Sequence, residues 1–132
     1  MAQKEKTMGL LSGLLGNASV LDETKLQEDY GQFMTETEKI ELGFQVLRDT
    51  FVFTDKRLIL VDKQGLRGKK VEYLSIPYSK ITKFSIENAG TFDLDAELKI
   101  WVGSEPIPIQ KKFNKTVNIY DIQKLLATHI LG

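Results

Sequence analysis

The spacing of apolar positions divides the chain into two short helices, a series of strands and a final helix. Four leucines fall on one stripe of a helix predicted over residues 8–15: Leu10, Leu11, Leu14 and Leu15. A second helix is predicted over residues 22–34, where Asp22 can cap the first turn. Neither helix is long enough to be stable alone in water. Both must therefore pack against their own domain or against a neighbouring chain.

From about residue 40 the apolar period changes to two, which is typical of β-strands. Apolar runs at 51–53 and 58–61 are separated by a predicted turn, and Pro77 ends a later strand because proline cannot donate to a ladder. The clearest alternation, with Trp101 on the opposite face, comprises Leu94, Ala96, Leu98, Ile100 and Val102.

The last strand is expected at Ile107, Ile109 and Phe113, and Pro106 and Pro108 mark it as a sheet edge. An amphipathic helix follows over residues 116–131, with one apolar face: Ile119, Ile122, Leu125, Leu126 and Ile130. The pattern thus predicts a mainly β fold with α, consisting of about seven antiparallel strands and a C-terminal helix that closes one end of a curved sheet or barrel.

This pattern divides the chain into three parts. Residues 40–132 are predicted to form the domain, residues 8–39 an N-terminal helical segment, and residues 1–7 an upstream extension, since Met8 followed by Gly9 looks like a natural start. A length of 132 residues suits one compact domain. No apolar run reaches the roughly 20 residues of a membrane-spanning helix, and we expect a cytoplasmic protein.

Composition excludes several functions. Eighteen basic and 18 acidic residues give a formal net charge of zero, which argues against binding to duplex nucleic acid. The absence of cysteine rules out disulfides, thiolate metal sites and cysteine nucleophiles. Because the only histidine, His129, is expected to face solvent or cap the last helix, and no phosphate loop or nucleophile motif is present, we expect no enzyme and no cofactor.

An acidic row on one predicted strand is a candidate cation site. Asp93, Asp95 and Glu97 alternate along the chain and could together contact a divalent ion. Such a row is more typical of the solvated face of a half-buried strand, so no metal is expected.

Several blocks of the sequence resemble bacterial pleckstrin-homology domains. They are FVFTDKRLILVDKQG (51–65), KKVEYLSIPY (69–78), ITKF (81–84), AGTFDLDAELKIW (89–101) and the opening MGLLSGLLGNAS (8–19). The resemblance implies a pleckstrin-homology-like barrel of two packed sheets with a C-terminal helix. It also implies cyclic homo-oligomers, since members of that family assemble in this way.

Anionic lipid is the ligand that the superfold suggests. Eukaryotic relatives hold phosphoinositides with basic residues between their first two strands, but that loop here, about Arg48-Asp49-Thr50, is short and carries a single arginine. A different basic group lies in the loop at 63–70: Lys63, Arg67, Lys69 and Lys70. It could hold an anionic membrane weakly, or simply solvate a hairpin tip.

Assembly and peptide binding are the other hypotheses. The four leucines at 10–15 have no obvious place in a filled core, and exposed they would mark an oligomer interface, whereas buried on their own domain they would act only as a latch. Domains of this superfold can also add an extended peptide to a sheet edge, for which residues 81–87 are the expected acceptor. The sequence thus predicts a non-catalytic oligomeric binding or scaffold module, with peripheral membrane binding as the alternative.

Overall fold

The computed structural model describes residues 19–46, 49–65, 69–87, 95–114 and 119–132. Within these ranges the chain forms eight strands in two antiparallel sheets, two α-helices and two short 3-10 turns at Gly31–Phe33 and Tyr78–Lys80. The strands are β1 (Ser19–Val20), β2 (Ile40–Val46), β3 (Asp49–Thr54), β4 (Arg57–Gln64), β5 (Lys70–Pro77), β6 (Ile81–Glu87), β7 (Asp95–Val102) and β8 (Ile109–Asn114). The helices are α1 (Glu23–Tyr30) and α2 (Ile119–Ile130).

The predicted fold class is confirmed, since seven of these strands are long and a helix follows them. The described residues group into two compact units, residues 19–77 and residues 78–132. The first unit holds the five-stranded sheet in the order β1-β2-β3-β4-β5, and the second holds the three-stranded sheet β6-β7-β8 together with α2.

One face of the five-stranded sheet carries large apolar side chains in a cross-strand row, buried except for the half-buried Leu74 at its end. Phe44 pairs with Phe51, Phe51 with Leu60 and Leu60 with Leu74. The Phe44 and Phe51 rings stack with centroids 5.1 Å apart. Cross-strand contacts between aromatic and other large apolar side chains stabilise neighbouring strands, so this row helps to hold β2 to β5 in one sheet.

Helix α1 covers the opposite face of that sheet. Leu26 and Tyr30 pack against Val52, Ile59 and Val61. The Asp22 side chain accepts a hydrogen bond from the Lys25 N–H at 2.7 Å, so the predicted N-cap is confirmed. Helix and sheet approach so closely at Gly43 that an added Cβ there would meet the Leu26 Cδ2, so a larger residue at 43 would push the helix away.

The three-stranded sheet confirms the alternation predicted for residues 94–102 as far as the described residues extend. Ala96, Leu98 and Ile100 are buried, and Trp101 lies on the other face with the Lys83 Nζ 4.6 Å from its ring centroid. Leu94 lies outside the described residues.

Helix α2 has the predicted apolar face, although its described part begins at Ile119. Ile122, Leu125 and Leu126 are buried, and the helix packs against β6. His129 is buried as well, so the solvent-facing interpretation was wrong. Its Nδ1 lies 3.1 Å from the Leu125 carbonyl oxygen, and its ring contacts Tyr78 with centroids 5.4 Å apart.

Two strand boundaries differ from the prediction. Ile107 does not belong to the last strand, which begins at Ile109, because Pro106 and Pro108 each remove a backbone donor and the chain bends between them. Asp49 and Thr50 lie in β3 rather than in a loop, paired with Val46 and Gln45. The connection between β2 and β3 is therefore reduced to residues 47–48, which lie outside the described residues.

Candidate binding surfaces

The basic group predicted at 63–70 lies on the hairpin that joins β4 to β5. Lys63, Lys69 and Lys70 are exposed and form no ion pair within the described part of the chain. Gly65 has a φ of 82°, a left-handed conformation that suits glycine at a hairpin tip. Arg67 lies outside the described residues, so the structure brings together three of the four predicted residues.

Carboxylates lie immediately beside these lysines. Asp62 and Glu72 face each other directly in the β4–β5 register, one pair away from Lys63 and Val71, and Asp49 faces Asp62 from β3. The negative charges reduce the positive potential that the lysines present to an anionic surface. The sequence reasoning missed this opposition because it depends on the register of two strands.

The leucine stripe at Leu10, Leu11, Leu14 and Leu15 lies outside the described residues. Among the described strands, β1 and β5 form the edges of one sheet, and β6 and β8 form the edges of the other. Within the described residues β5 pairs only with β4, and β6 pairs only with β7. Each strand thus presents one row of backbone N–H and C=O groups that no described strand covers, which is a ready template for another chain.

Two aromatic rings lie at the surface beside the open β5 edge. Phe33 and Tyr73 are 37% and 46% exposed, and their ring centroids are 4.8 Å apart. Tyr73 lies on the α1-covered face of the sheet, because it pairs with Val61. Sequence reasoning missed this pair. Phe33 falls within the helix predicted over residues 22–34 and Tyr73 within the separate block at 69–78, so nothing local in the sequence connects them.

A buried ion pair fixes the segment that carries Phe33. The Arg57 side chain donates from Nη2 to the Phe33 carbonyl at 2.6 Å and from Nη1 to the Ser75 Oγ at 3.0 Å. The same guanidinium binds the Glu38 carboxylate, whose side chain is 1% exposed. Arg57 therefore ties the chain after α1 to the edge strand β5, and this holds the aromatic pair in place.

The Glu38 carboxylate is fully supplied with donors. Besides Arg57, it accepts the Thr54 hydroxyl at 2.7 Å and the Thr35 N–H at 3.2 Å. Burial alone would raise the pKa of Glu38, but the hydrogen bonds from Arg57, Thr54 and Thr35 outweigh it and hold the pKa below its ordinary value of 4.5. The pair is thus a charged structural clasp at neutral pH.

The turn between β7 and β8 carries an isolated apolar side chain. Ile107 is 80% exposed and stands between Pro106 and Pro108. Gly103, with a φ of 59°, begins the turn and donates its N–H to the Lys80 carbonyl at 2.8 Å. The Ile107 side chain therefore adds nothing to the core.

The acidic row that is a candidate cation site lies only partly within the described residues. Glu97 lies 3.7 Å from the Lys99 ammonium and faces Lys112 on β8. The side chains of Asp93 and Asp95 lie outside the described residues. No helix in the described part of the chain is long and apolar enough to cross a membrane.

Known proteins resemble the chain over most of its length. The family model of the bacterial PH domain matches residues 9–130. The uncharacterized protein YjqA of Bacillus subtilis (strain 168) is 56% identical over 121 residues, which cover 91% of this chain and 97% of that protein. The uncharacterized protein YozO of the same organism is 32% identical over 97 residues, which cover 74% of this chain and 82% of that protein.

Two crystal structures share the fold at 47% sequence identity. The pleckstrin homology domain from Shewanella amazonensis SB2B has a TM-score of 0.80 and covers 92% of this chain and 98% of its own. A DUF1696 family protein with a pleckstrin-homology domain from Shewanella loihica PV-4 has a TM-score of 0.73, and the match covers 87% of this chain and 98% of that protein's chain.

Proposed function

Because the chain belongs to the bacterial PH domain family, we propose that it is a non-catalytic binding module that works as a homo-oligomeric scaffold. The observation that carries this proposal is the open edges of β5 and β6, since of the other two edge strands among the described residues β1 has only two residues and β8 follows two prolines. Strands β5 and β6 have similar lengths of eight and seven residues. An uncovered edge of this length favours pairing with another chain.

The contact joins two different surfaces. If β5 of one copy accepts β6 of the next, each copy retains one free edge for a further neighbour. Such a heterologous contact closes into a ring when the rotation fits, and otherwise grows into a filament. The zero net charge leaves little long-range repulsion between copies, and the family resemblance favours the ring.

The absence of cysteine allows a direct test by cross-linking. Glu72 on β5 and Ser85 on β6 are both exposed, so Glu72→Cys and Ser85→Cys should leave the fold intact. Light scattering should first give the wild-type protein a mass of several subunits at micromolar concentration. Under mild oxidation, a mixture of the two single variants should then form covalent dimers, and each variant alone should form far fewer.

Lys56→Cys provides the matched control, because Lys56 is an equally exposed residue on the β3–β4 turn. Mixed with either variant, it should cross-link no better than random collision allows. A wild-type protein that stays monomeric at high concentration would contradict the scaffold. An oligomeric wild type whose Glu72→Cys variant cross-links to itself would point to β5–β5 pairing instead of β5–β6 pairing.

Peripheral binding to an anionic membrane is the second candidate function. The observation in its favour is that Lys63, Lys69 and Lys70 are exposed and lack ion-pair partners among the described residues. Basic residues near an anionic lipid surface each contribute attraction. The neighbouring Asp62 and Glu72 oppose it, so we place this function second.

A further inference from the structure

We propose that the exposed Ile107 of one copy docks against the Phe33–Tyr73 pair of a second copy. This inference rests on the proposed assembly and names the side chains that would make the contact specific. Strand edges offer the same backbone groups in every protein, so selectivity must come from side chains beside the edge. Such a contact needs a protruding side chain and an aromatic platform, and Ile107, the most exposed of the large apolar side chains that the structure describes, and the Phe33–Tyr73 pair supply them.

Ile107 has the properties of an inserting side chain. It is 80% exposed at a bend between two prolines, each of which fixes its own φ and restricts the residue before it. A side chain held in this way loses little conformational freedom when it is buried by a partner. Because Pro106 and Pro108 lack N–H groups, this turn cannot add to a sheet as a strand, and its contact must be made through side chains.

The Phe33–Tyr73 pair has the properties of a receiving surface. The two rings touch each other at the protein surface and are held by the Arg57 hydrogen bonds to the Phe33 carbonyl and to Ser75 on the edge strand. Aromatic residues fixed in this way are enriched at the centres of protein interfaces. No described residue covers the exposed parts of the two rings.

On the faces that would meet, one exposed charge of each sign lies nearby, whereas the carboxylates Asp62 and Glu72 lie on the other face of the sheet from Tyr73. Glu105 is exposed two residues before Ile107. On the receiving side, Lys63 is exposed and pairs with Val71, which lies on the same face of β5 as Tyr73. Attraction between the Glu105 carboxylate and the Lys63 ammonium of another copy would favour the correct partner and orientation. Because both charges belong to the same chain, this complementarity favours a second copy of the chain as the partner.

The backbone geometry agrees with the β5–β6 contact. The hydrogen bond from the Gly103 N–H to the Lys80 carbonyl holds the Ile107 turn beside the first residue of β6. When β6 of one copy pairs with β5 of another, the Ile107 turn of the first copy therefore lies near one end of β5, the strand that carries Tyr73. One docking event then uses both the backbone edge and the side-chain contact.

The test uses two variants that each destroy one side of the contact. Ile107→Asp keeps the aromatic pair, and Tyr73→Asp keeps the protruding isoleucine. Each variant alone should associate about tenfold or more weakly than the wild type in analytical ultracentrifugation. A one-to-one mixture should recover dimers at wild-type concentrations but form no larger species, because only one pairing of intact surfaces remains.

Leu131→Asp is the matched control, since Leu131 is 76% exposed but has no place in the proposed contact. It should assemble like the wild type. If the wild type is oligomeric and both variants associate normally, or if their mixture forms no dimers, this contact is overturned while the assembly stands. A monomeric wild type overturns both. Melting curves confirm that the variants are folded.

Discussion

The Arg57 guanidinium donates two parallel hydrogen bonds to the Glu38 carboxylate, from Nε to Oε2 at 2.7 Å and from Nη2 to Oε1 at 2.9 Å. The same arginine reaches the carbonyl of Phe33 and the hydroxyl of Ser75. Three segments that are distant in sequence are thereby joined by one side chain: the end of the α1 region, the start of β4 and the edge strand β5. We expect this clasp to determine how firmly the helical segment is held on the sheet.

Replacing Arg57 should therefore cost more stability than replacing a surface charge. In an Arg57→Ala variant the nearly inaccessible Glu38 is left without its cation, and breaking a buried pair in this way typically costs about 3–5 kcal/mol. We expect a value toward the lower end, because the Arg57 side chain is 23% exposed. Urea denaturation followed by circular dichroism measures the change.

The surface pair Lys25–Asp29 supplies the control. Its side chains are 56% and 38% exposed at a separation of 3.1 Å, so Lys25→Ala should leave the denaturation midpoint nearly unchanged. Arg57→Lys tests the geometry, because a lysine cannot make the two-pronged contact. Equal losses for Arg57→Ala and Lys25→Ala would contradict the clasp.

The clasp should also make stability depend on pH in the acidic range. The folded pKa of Glu38 lies below its ordinary value of 4.5 because the donated hydrogen bonds outweigh the effect of burial. A carboxylate with a lowered folded pKa stabilises the protein above the unfolded pKa, and this contribution disappears as pH falls through the folded pKa. The difference in unfolding free energy between wild type and Glu38→Gln should therefore be largest at neutral pH and shrink below about pH 4. A difference that stays constant from pH 7 to pH 3 would contradict this assignment.

The periodicity of the sequence was enough to predict the fold class, because alternation and helical spacing are local properties. Leu98 and Ile100 are buried as the alternation requires, and Asp22 caps α1 as its position suggests. The resemblance of several sequence blocks to bacterial pleckstrin-homology domains predicted the family, which amino-acid composition alone cannot identify. These predictions needed only residues that are close together in the chain.

The candidate surfaces were harder to predict because they depend on distant residues. Glu38 and Arg57, or Phe33 and Tyr73, become neighbours only when α1 docks on the sheet and β5 takes its register. The opposition of Asp62 and Glu72 likewise requires the β4–β5 pairing. Ile107 was misassigned for a different reason, since its flanking prolines were interpreted as marks of an edge strand when they exclude it from the strand.

The basic hairpin predicts a specific loss of membrane binding if that function holds. Replacing Arg67, Lys69 and Lys70 with serine should abolish flotation with anionic liposomes at low salt, because the attraction is electrostatic and additive. The melting temperature should not change, since Lys69 and Lys70 are exposed. The control replaces Lys56, Lys80 and Lys124, three exposed lysines on other elements, with serine for the same change in net charge. If the wild-type protein does not bind anionic liposomes, the hairpin is a solvated loop and the membrane function is contradicted.

The leucine stripe predicts that the N-terminal segment contributes to assembly. Leu11→Asp combined with Leu14→Asp places two charges on the apolar side of a predicted helix, where burial against a neighbouring copy would then be costly. Light scattering should show a lower mass for this variant, with the melting temperature of the domain unchanged. The pair Gln3→Asp and Asn17→Asp adds the same charge to the same segment without touching a leucine, and should keep the wild-type mass. If the double leucine variant keeps its mass but melts at a lower temperature, the stripe is an internal latch, and assembly must rely on the strand edges alone.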